Sequence, residues 1–333
     1  MEVVLTGIKP TGTPHIGNYV GAIKPAVVAS KNPNVHSFYF LADYHALGGD
    51  ADTVARSTLE IAASWLAVGL DPDKVVFYRQ SDVPEILELT WILHSVTAKG
   101  LMNRGHAYKA AVAENAATPD RDPDQAIMMN LYSYPVLMAA DILMFKAAKL
   151  PVGKDQKQHV EMARDIAQRF NHHFGETFVL PDALIGDHVA TLPGLDGRKM
   201  SKSYGNEIPL FAPEKPLRKL IMKIKTNSLE PKQPKDPNDS ALYDIYRAFA
   251  TDAETAAVRA RYAEGIGWGD MKQLLFERIN AEIAPARAEY ERLMAAPGEV
   301  EELLEQGAEK ARALSRPFIA EIREKVGIRR LAG

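Results

Sequence analysis

Two loops that lie far apart in this 333-residue chain constrain its fold more than any other feature. The first is a Gly- and Pro-rich turn at residues 6–14, which follows a short apolar run at residues 3–5 and leads into a helical pattern from about Ile16. When a strand leads through a bent turn into a helix, the free N–H groups and the positive end of that helix can point toward an anion. The second is a Gly-rich loop that ends in KMSKS, with Lys199 and Lys202 three residues apart. Two flexible ammonium groups suit a polyphosphate whose charge grows as pyrophosphate leaves, so the two loops together predict an ATP-activating site.

Neither loop is specific by itself. A strand, turn and helix with a histidine is common, and a basic pentapeptide is more often a solvated loop. The occurrence of both loops in this order, separated by most of an α/β domain, favours a functional site. In such a site His15 and Asn18 would supply side-chain donors at the phosphates, and Gly12 and Gly17 would let a nucleotide approach the backbone.

Strands and helices alternate through the first half of the chain. Residues 37–41 and 74–78 are typical of strands, and residues 52–68 between them are typical of a helix. This alternation predicts an α/β fold with a parallel sheet, whose ligands bind beyond the carboxyl ends of the strands. His45 and residues 79–80 fall at those ends, so we expect His45 to face a substrate; a structural histidine is the alternative.

Composition limits the classes of function. A content of 46% hydrophobic and 25% charged residues indicates a globular chain, and a net charge of −3 argues against bulk electrostatic binding of nucleic acid. The absence of cysteine excludes disulfides, thiolate zinc sites and iron–sulfur clusters, and the nine histidines show no metal-ligand spacing. The sequence shows no charged-then-apolar leader and no apolar run of about 20 residues, so we expect a cytoplasmic protein without a membrane span.

A helix that starts near Tyr134 is where we expect substrate specificity. Tyr134, Met138 and Asp141 are spaced i, i+4 and i+7, so an aromatic ring, a thioether and a carboxylate share one helix face. Burying a carboxylate among apolar neighbours is costly without a hydrogen-bonding partner. That partner is either a substrate or, in the alternative, a neighbouring arginine or a helix end.

These motifs resemble those of the class I aminoacyl-tRNA synthetases, whose hallmarks are a HIGH-type sequence and KMSKS. The first is matched at residues 15–18 with Asn18 in the last place, and the second is matched letter for letter. Residues 134–143 and 152–159 are similar to the bacterial-type tryptophanyl-tRNA synthetases, and the similarity extends over essentially the whole chain.

The resemblance implies two domains. Residues 1–207 would form a Rossmann-type catalytic domain, with a helical insertion at about 85–150 that carries the dimer contact. Residues 208–333 would form a helical anticodon-binding region, whose last helix is a candidate to pack back on the catalytic domain. Within it, helical patterns cover residues 243–250, 253–262, 269–293 and 300–326. The basic stretch at 217–225 is either an RNA contact or a solvated face.

The implied activity is the ATP-dependent activation of L-tryptophan to its adenylate, followed by transfer to tRNA(Trp) in a homodimer. Mg²⁺ would enter with ATP, with no metal ligand from protein side chains. The implied catalytic residues are His15, Asn18, Lys199 and Lys202. The implied ATP contacts are Lys9, Pro10, Thr11, Gly17, Asn18, Gly153, Lys154, Asp155, Lys199, Met200, Ser201, Lys202 and Ser203. The implied tryptophan contacts are Asp141 at the indole N–H, Met138 at the ring, Tyr134 and Gln156 near the amino group, His45 and Val152. Residues 189–192 would contact adenine through their backbone.

One residue departs from the family pattern. Lys9 stands where the best-known bacterial members carry glutamine. Its ammonium group could pair with the substrate carboxylate or the α-phosphate, but it could also disfavour the amino group of the substrate.

Three other functions remain open at this stage. A tyrosyl-tRNA synthetase shares the architecture. A small nucleotidylyltransferase of the wider HIGH superfamily would usually lack the helical C-terminal region. A non-catalytic paralogue would bind tRNA or protein only.

Overall fold

A parallel sheet forms the centre of the structure, a computed structural model that describes residues 2–153, 156–185, 191–329 and 331. Strands β1 (Glu2–Ile8), β2 (Val35–Leu41) and β3 (Val76–Arg79) pair in the order β1-β2-β3, all parallel. Strands β4 (Lys149–Val152) and β5 (Asp182–Ile185) form a second parallel pair. This pairing confirms the predicted α/β fold with a parallel sheet. The strands are parallel because helices cross over between them and return the chain to the same edge of the sheet.

The helices have the following bounds. They are α1 (Ile16–Asn18), α2 (Lys24–Ala29), α3 (Ala51–Ala67), α4 (Glu85–His94), α5 (Lys99–Met102), α6 (His106–Ala116), α7 (Met129–Met144), α8 (Lys157–Phe174), α9 (Glu214–Met222), α10 (Ala241–Phe249), α11 (Asp252–Ala263), α12 (Trp268–Ala295) and α13 (Pro297–Lys325). Between α1 and α2 the chain makes a π-helical segment, Tyr19–Ile23. Within the described ranges, no helix is both long and apolar enough to span a bilayer.

The start of α7 differs from the prediction. The helix begins at Met129, five residues before the expected start near Tyr134. Pro135 favours a start at its own position because proline is common in the first turn of a helix. Here the proline is buried inside the helix, where it has no N–H to donate to the preceding turn.

Side chains alternate between two cores, one on each face of the sheet. Tyr39 and Phe77 point toward α3 and the helices α9 to α12, whereas Phe38 and Tyr78 point toward α4, α7 and α8. This alternation follows from the two-residue period of a strand. The sheet is therefore covered on both faces, and its strand ends are left to form a site.

The last helix, α13, packs directly against the edge strand β3. A Cβ atom on Gly307 would lie 1.6 Å from the carbonyl oxygen of Phe77, so only glycine permits this approach. Arg79 at the end of β3 forms a bidentate ion pair with Glu301 of α13, at 2.7 and 3.1 Å. Arg79 therefore faces the helix rather than the ligand end of the sheet.

Candidate active site

A cleft of about 640 Å³ lies between the carboxyl end of β1 and the Gly-rich loop at residues 194–205. Of the residues predicted at ATP and tryptophan, those that line it are Lys9, Thr11, His15, Gly17, Asn18, Gly153, Gln156, Lys199, Met200, Ser201, Lys202 and Ser203. Pro10 is buried and is not among the lining residues, and it has no N–H to donate. Lys154 and Asp155 lie outside the described residues, as do residues 189–190 of the stretch predicted at adenine.

Backbone hydrogen bonds join the two sequence motifs. The N–H of Ile16 donates to the carbonyl of Ile208 over 3.0 Å, and the N–H of Leu210 donates to the carbonyl of Pro14 over 2.9 Å. The first turn and the segment after KMSKS thus form a short antiparallel bridge. Two loops almost 200 residues apart in sequence therefore face each other across one cleft.

His15 caps the helix that starts the first motif. Its Nδ1 accepts a hydrogen bond from the N–H of Asn18 at 3.3 Å, and Oδ1 of Asn18 accepts from the N–H of His15 at 3.0 Å. Burial, followed by the nearby Lys202 ammonium, lowers the pKa of His15 to about 4. The ring is therefore neutral near pH 7, and because Nδ1 accepts, Nε2 carries the proton that can be donated into the cleft.

Asn206 holds the KMSKS loop in shape. Its Nδ2 group donates to Oδ1 of Asp196 at 2.7 Å and to the carbonyl of Lys199 at 3.2 Å, and its Oδ1 accepts from the N–H of Ser201 at 2.9 Å. Asn206 is buried, and a Cβ atom on Gly194 would lie 2.4 Å from its Cγ. One amide therefore connects the loop entry to the motif itself, a contact that sequence reasoning missed.

The second lysine of KMSKS lies against the first turn. A Cβ atom on Gly12, whose φ is +119°, would be 3.2 Å from Nζ of Lys202. Burial lowers the pKa of Lys202, and the carboxylates of Glu207 and Glu60 act in the opposite direction. Lys199 is exposed at the mouth of the same cleft. The cleft therefore holds one partly desolvated ammonium group and one solvated ammonium group.

A second group of predicted residues surrounds the side chain of Asp141 on α7, which is only 2% exposed. Nε2 of Gln80 donates to both carboxylate oxygens, and Nε2 of His45 lies 3.0 Å from Oδ2. Burial raises the pKa of Asp141 above its usual value. The predicted alternative of an arginine or a helix end as partner is wrong; the partners are an amide and an imidazole. A carboxylate has about four acceptor positions, so these three bonds leave one for a ligand.

Gln80 is a residue that sequence reasoning placed only at a strand end. It is fully buried, and its Oε1 accepts from the N–H of Tyr44 at 3.2 Å. This contact orients the amide so that Nε2 must face Asp141. The only sequence signal for it was a polar residue directly after a buried strand.

Three further predicted tryptophan contacts, Tyr134, Met138 and Val152, are not among the residues that line the cleft. Oη of Tyr134 is 2.5 Å from Nε2 of His159, and the rings of Tyr134 and His45 meet edge-on at 6.4 Å. Met138 and Val152 are half-buried against the core under the sheet. His159 lies in the first turn of α8, three residues after Gln156, which lines the cleft, so the carboxylate site adjoins the cleft on the side of Tyr134.

Comparisons with known proteins agree with this geometry. A family model described as tRNA synthetases class I (W and Y) matches residues 2–283. The chain is 60% identical to the tryptophan–tRNA ligase of Pseudomonas aeruginosa, over 98% of this chain and 74% of that protein. It is 56% identical to the tryptophan–tRNA ligase of Neisseria meningitidis, over 98% of each. The crystal structure of tryptophanyl-tRNA synthetase from Campylobacter jejuni complexed with ADP and tryptophan superposes with a TM-score of 0.86 at 43% identity, covering 98% of this chain and 99% of that one.

Proposed function

The chain belongs to the class I tRNA synthetases for tryptophan and tyrosine, and we propose that it catalyses the reaction of its tryptophan-specific relatives. It activates L-tryptophan with ATP and transfers the product to tRNA(Trp). The observation that carries the choice of amino acid is the buried carboxylate of Asp141, whose contacts with Gln80 and His45 occupy three of its about four acceptor positions.

Activation joins the tryptophan carboxylate to the α-phosphate of ATP. A carboxylate oxygen attacks the α-phosphorus in line, the bond from that phosphorus to the oxygen bridging to the β-phosphate breaks, and pyrophosphate leaves with Mg²⁺. Lys199 and Lys202 stabilise the charge of the leaving group, and His15 and Asn18 donate hydrogen bonds to phosphate oxygens. A terminal ribose hydroxyl of tRNA then attacks the adenylate carbonyl, which releases AMP. Catalysis is positioning and electrostatics rather than acid–base chemistry, in agreement with a neutral His15.

The assignment of individual contacts extends this proposal. Thr11, Gly17, Gly153, Met200, Ser201 and Ser203 line the nucleotide cleft and contact ATP, and Lys154 and Asp155 are assigned there by resemblance. Lys9 lines the same cleft and pairs with the α-phosphate or the substrate carboxylate. Asp141 accepts the indole N–H, with His45, Met138, Tyr134, Gln156 and Val152 around the amino acid. A site built around a buried hydrogen bond rejects an analogue that cannot make it, at a cost of about 1–3 kcal/mol or more.

The proposed partners are tRNA(Trp) and a second copy of the chain. Trp91 on α4 is 79% exposed, and Met128 and Met129 at the start of α7 are also exposed, which supports a homodimer contact through this helical insertion. On α9, Arg218 and Lys219 extend a basic stretch that supports contact with RNA. Because its tRNA substrate is used in translation, the enzyme is expected in the cytoplasm.

ATP–pyrophosphate exchange tests the proposal. Tryptophan, tyrosine and phenylalanine are supplied separately to the wild type, to Asp141→Ala and to Asp165→Ala, which removes an exposed carboxylate of α8. We expect exchange with tryptophan alone, lost in Asp141→Ala and retained in Asp165→Ala. Exchange with tyrosine would favour a tyrosine enzyme. Adenylation of a small acceptor without charging of tRNA would favour a nucleotidylyltransferase, and tRNA binding without ATP turnover would favour a non-catalytic paralogue.

A further inference from the structure

A single carboxylate of α12 holds both ends of the π-helical segment that follows the first motif. Oε1 of Glu282 accepts from the hydroxyl of Tyr19 at 2.9 Å and from Nζ of Lys24 at 2.7 Å. Oε2 of the same residue accepts from Arg278 at 2.9 Å. Glu282 is only 16% exposed at its side chain, so these are charge-assisted bonds in a partly desolvated setting.

The segment between the two anchored residues forms a wall of the nucleotide cleft. Tyr19 directly follows Asn18, and Lys24 directly follows the last residue of the π turn. Gly21, Ala22 and Ile23, which lie between them, line the cleft. A π turn holds more residues per turn than an α-helix and is uncommon, so it persists where tertiary contacts support it.

Other contacts make this anchor rigid. The ring of Tyr19 stacks on Phe249 of α10 at 5.9 Å, and Nε of Arg278 lies 3.7 Å from a carboxylate oxygen of Glu254 in α11. Burial, then the charge of Glu282, raises the pKa of Tyr19, so its hydroxyl remains a donor. Helices α10, α11 and α12 therefore meet at one point behind the cleft wall.

We propose that Glu282 is a positioning residue of the ATP site: by anchoring Tyr19 and Lys24 it fixes the π-helical wall and the turn at residues 15–18 on which ATP is bound. Glu282 is not among the residues that line the cleft, so it acts through these two neighbours rather than on the nucleotide. The anchor also links α12, part of the region proposed to bind the anticodon, to the wall of the nucleotide cleft. The expected effect on ATP binding rests only on the proposed nucleotide cleft, whereas the expected effect on activity rests on the whole function proposed above.

The test compares Glu282→Gln with Glu277→Gln, a matched change on the exposed side of the same helix. The dissociation constant of ATP is measured by calorimetry, and the KM values for ATP and tryptophan are measured by pyrophosphate exchange. We expect Glu282→Gln to raise the dissociation constant and KM of ATP roughly 3- to 30-fold, because a small displacement of a binding wall has large effects. The KM of tryptophan and all constants of Glu277→Gln should stay within about twofold of the wild type, the margin set by a change at an exposed site.

A second variant protects the test against misfolding. Tyr19→Phe removes one of the donors to Glu282 and keeps the ring that stacks on Phe249. We expect this variant also to raise the KM of ATP. The double variant Tyr19→Phe/Glu282→Gln should raise this KM by no more than the two single changes combined, because both changes act on one contact. Unchanged ATP binding in folded Glu282→Gln and in Tyr19→Phe would overturn the proposal. So would a parallel rise of both KM values together with a lower melting temperature, which is the signature of general destabilisation. A wild type that binds ATP but shows no exchange with tryptophan would refute the proposed function alone.

Discussion

The amide nitrogen of Gln80 donates to both carboxylate oxygens of Asp141, over 2.8 Å to Oδ1 and 3.0 Å to Oδ2. Gln80 lies directly after β3 and Asp141 lies in the last turn of α7, and both residues are buried. Because Tyr44 fixes the other end of the amide, the acceptor offered to a ligand has one defined orientation. The selectivity of the site should therefore depend on Gln80 as well as on the carboxylate.

Replacing Gln80 by methionine should make tryptophan binding depend on pH. Burial raises the pKa of Asp141, and the charge of Asp43 acts in the same direction, whereas His45 and Gln80 lower this pKa. The loss of Gln80 therefore raises the pKa of Asp141 further. The ionised carboxylate is the acceptor, so the KM of tryptophan should rise as the pH falls, and this rise should begin at a higher pH in Gln80→Met than in the wild type. At neutral pH we expect a KM roughly tenfold higher, the effect of one hydrogen bond to a charged group. Pyrophosphate exchange between about pH 5.5 and 8.5, the range around neutrality, measures this. Gln168→Met, on the exposed face of α8, is the control, and identical pH profiles in all three proteins would contradict the prediction.

His15 should make the folded protein less stable in mild acid. Its pKa falls from 6.5 to about 4 in the folded protein, mainly because it is buried, so the unfolded chain binds a proton that the folded chain does not. The stability that the folded protein gains from a neutral His15 is present in full above about pH 6.5, and it is lost as the pH falls toward 4. It amounts to a few kcal/mol at most, at about 1.4 kcal/mol per pKa unit. His15→Asn retains a good helix cap without a titrating group. Urea unfolding at pH 7 and pH 5 should show a smaller loss of stability in the variant; equal losses would assign the acid sensitivity to other groups.

Asn206→Ala should impair the use of ATP more than it impairs the use of tryptophan. The change removes the amide that bonds Asp196, the carbonyl of Lys199 and the N–H of Ser201. Without it the KMSKS loop loses its fixed shape, so we expect kcat/KM for ATP to fall roughly 10- to 100-fold, as for other lost positioning contacts. Steady-state exchange kinetics measure this, with the exposed Asn34→Ala as control. An unchanged constant for ATP would mean that the loop is held by other contacts.

Gly307→Ala should destabilise the fold through the contact between α13 and β3. The added Cβ atom would lie 1.6 Å from the carbonyl oxygen of Phe77, so the helix must move away from the strand. We expect a loss of about 2–4 kcal/mol in the free energy of unfolding, as for other overpacked core sites. Gly298→Ala, in the first turn of the same helix, meets no atom within 4 Å and should be neutral or slightly stabilising. Urea denaturation of the two variants measures the difference in stability between them. Similar midpoints would contradict the prediction, because they would show that the helix adjusts without loss of stability.

Local patterns in the sequence were sufficient for most of the elements and for both motifs. The strand at residues 37–41 follows from a short, nearly continuous apolar run, and the helix at residues 52–68 follows from a helical pattern, and both depend only on neighbours in the chain. The π turn at Tyr19–Ile23 was not predicted, because its apolar pattern fits an α-helix equally well. The start of α7 was misplaced because Pro135 favours a helix start that the backbone did not use.

The sequence by itself determined the parallel α/β fold, the two loop motifs and the buried carboxylate on α7, since each follows from patterns in neighbouring residues. Only the tertiary structure decided what contacts them. Gln80 contacts Asp141 across 61 residues of sequence, and Glu282 contacts Tyr19 across 263 residues. The periodic pattern of a single helix or strand cannot predict contacts between residues so far apart. These pairings arise because the sheet brings the carboxyl ends of β1, β2 and β3 together and because α12 packs behind the first motif. The physical reason is that local propensity selects the elements, whereas packing of their faces selects their neighbours.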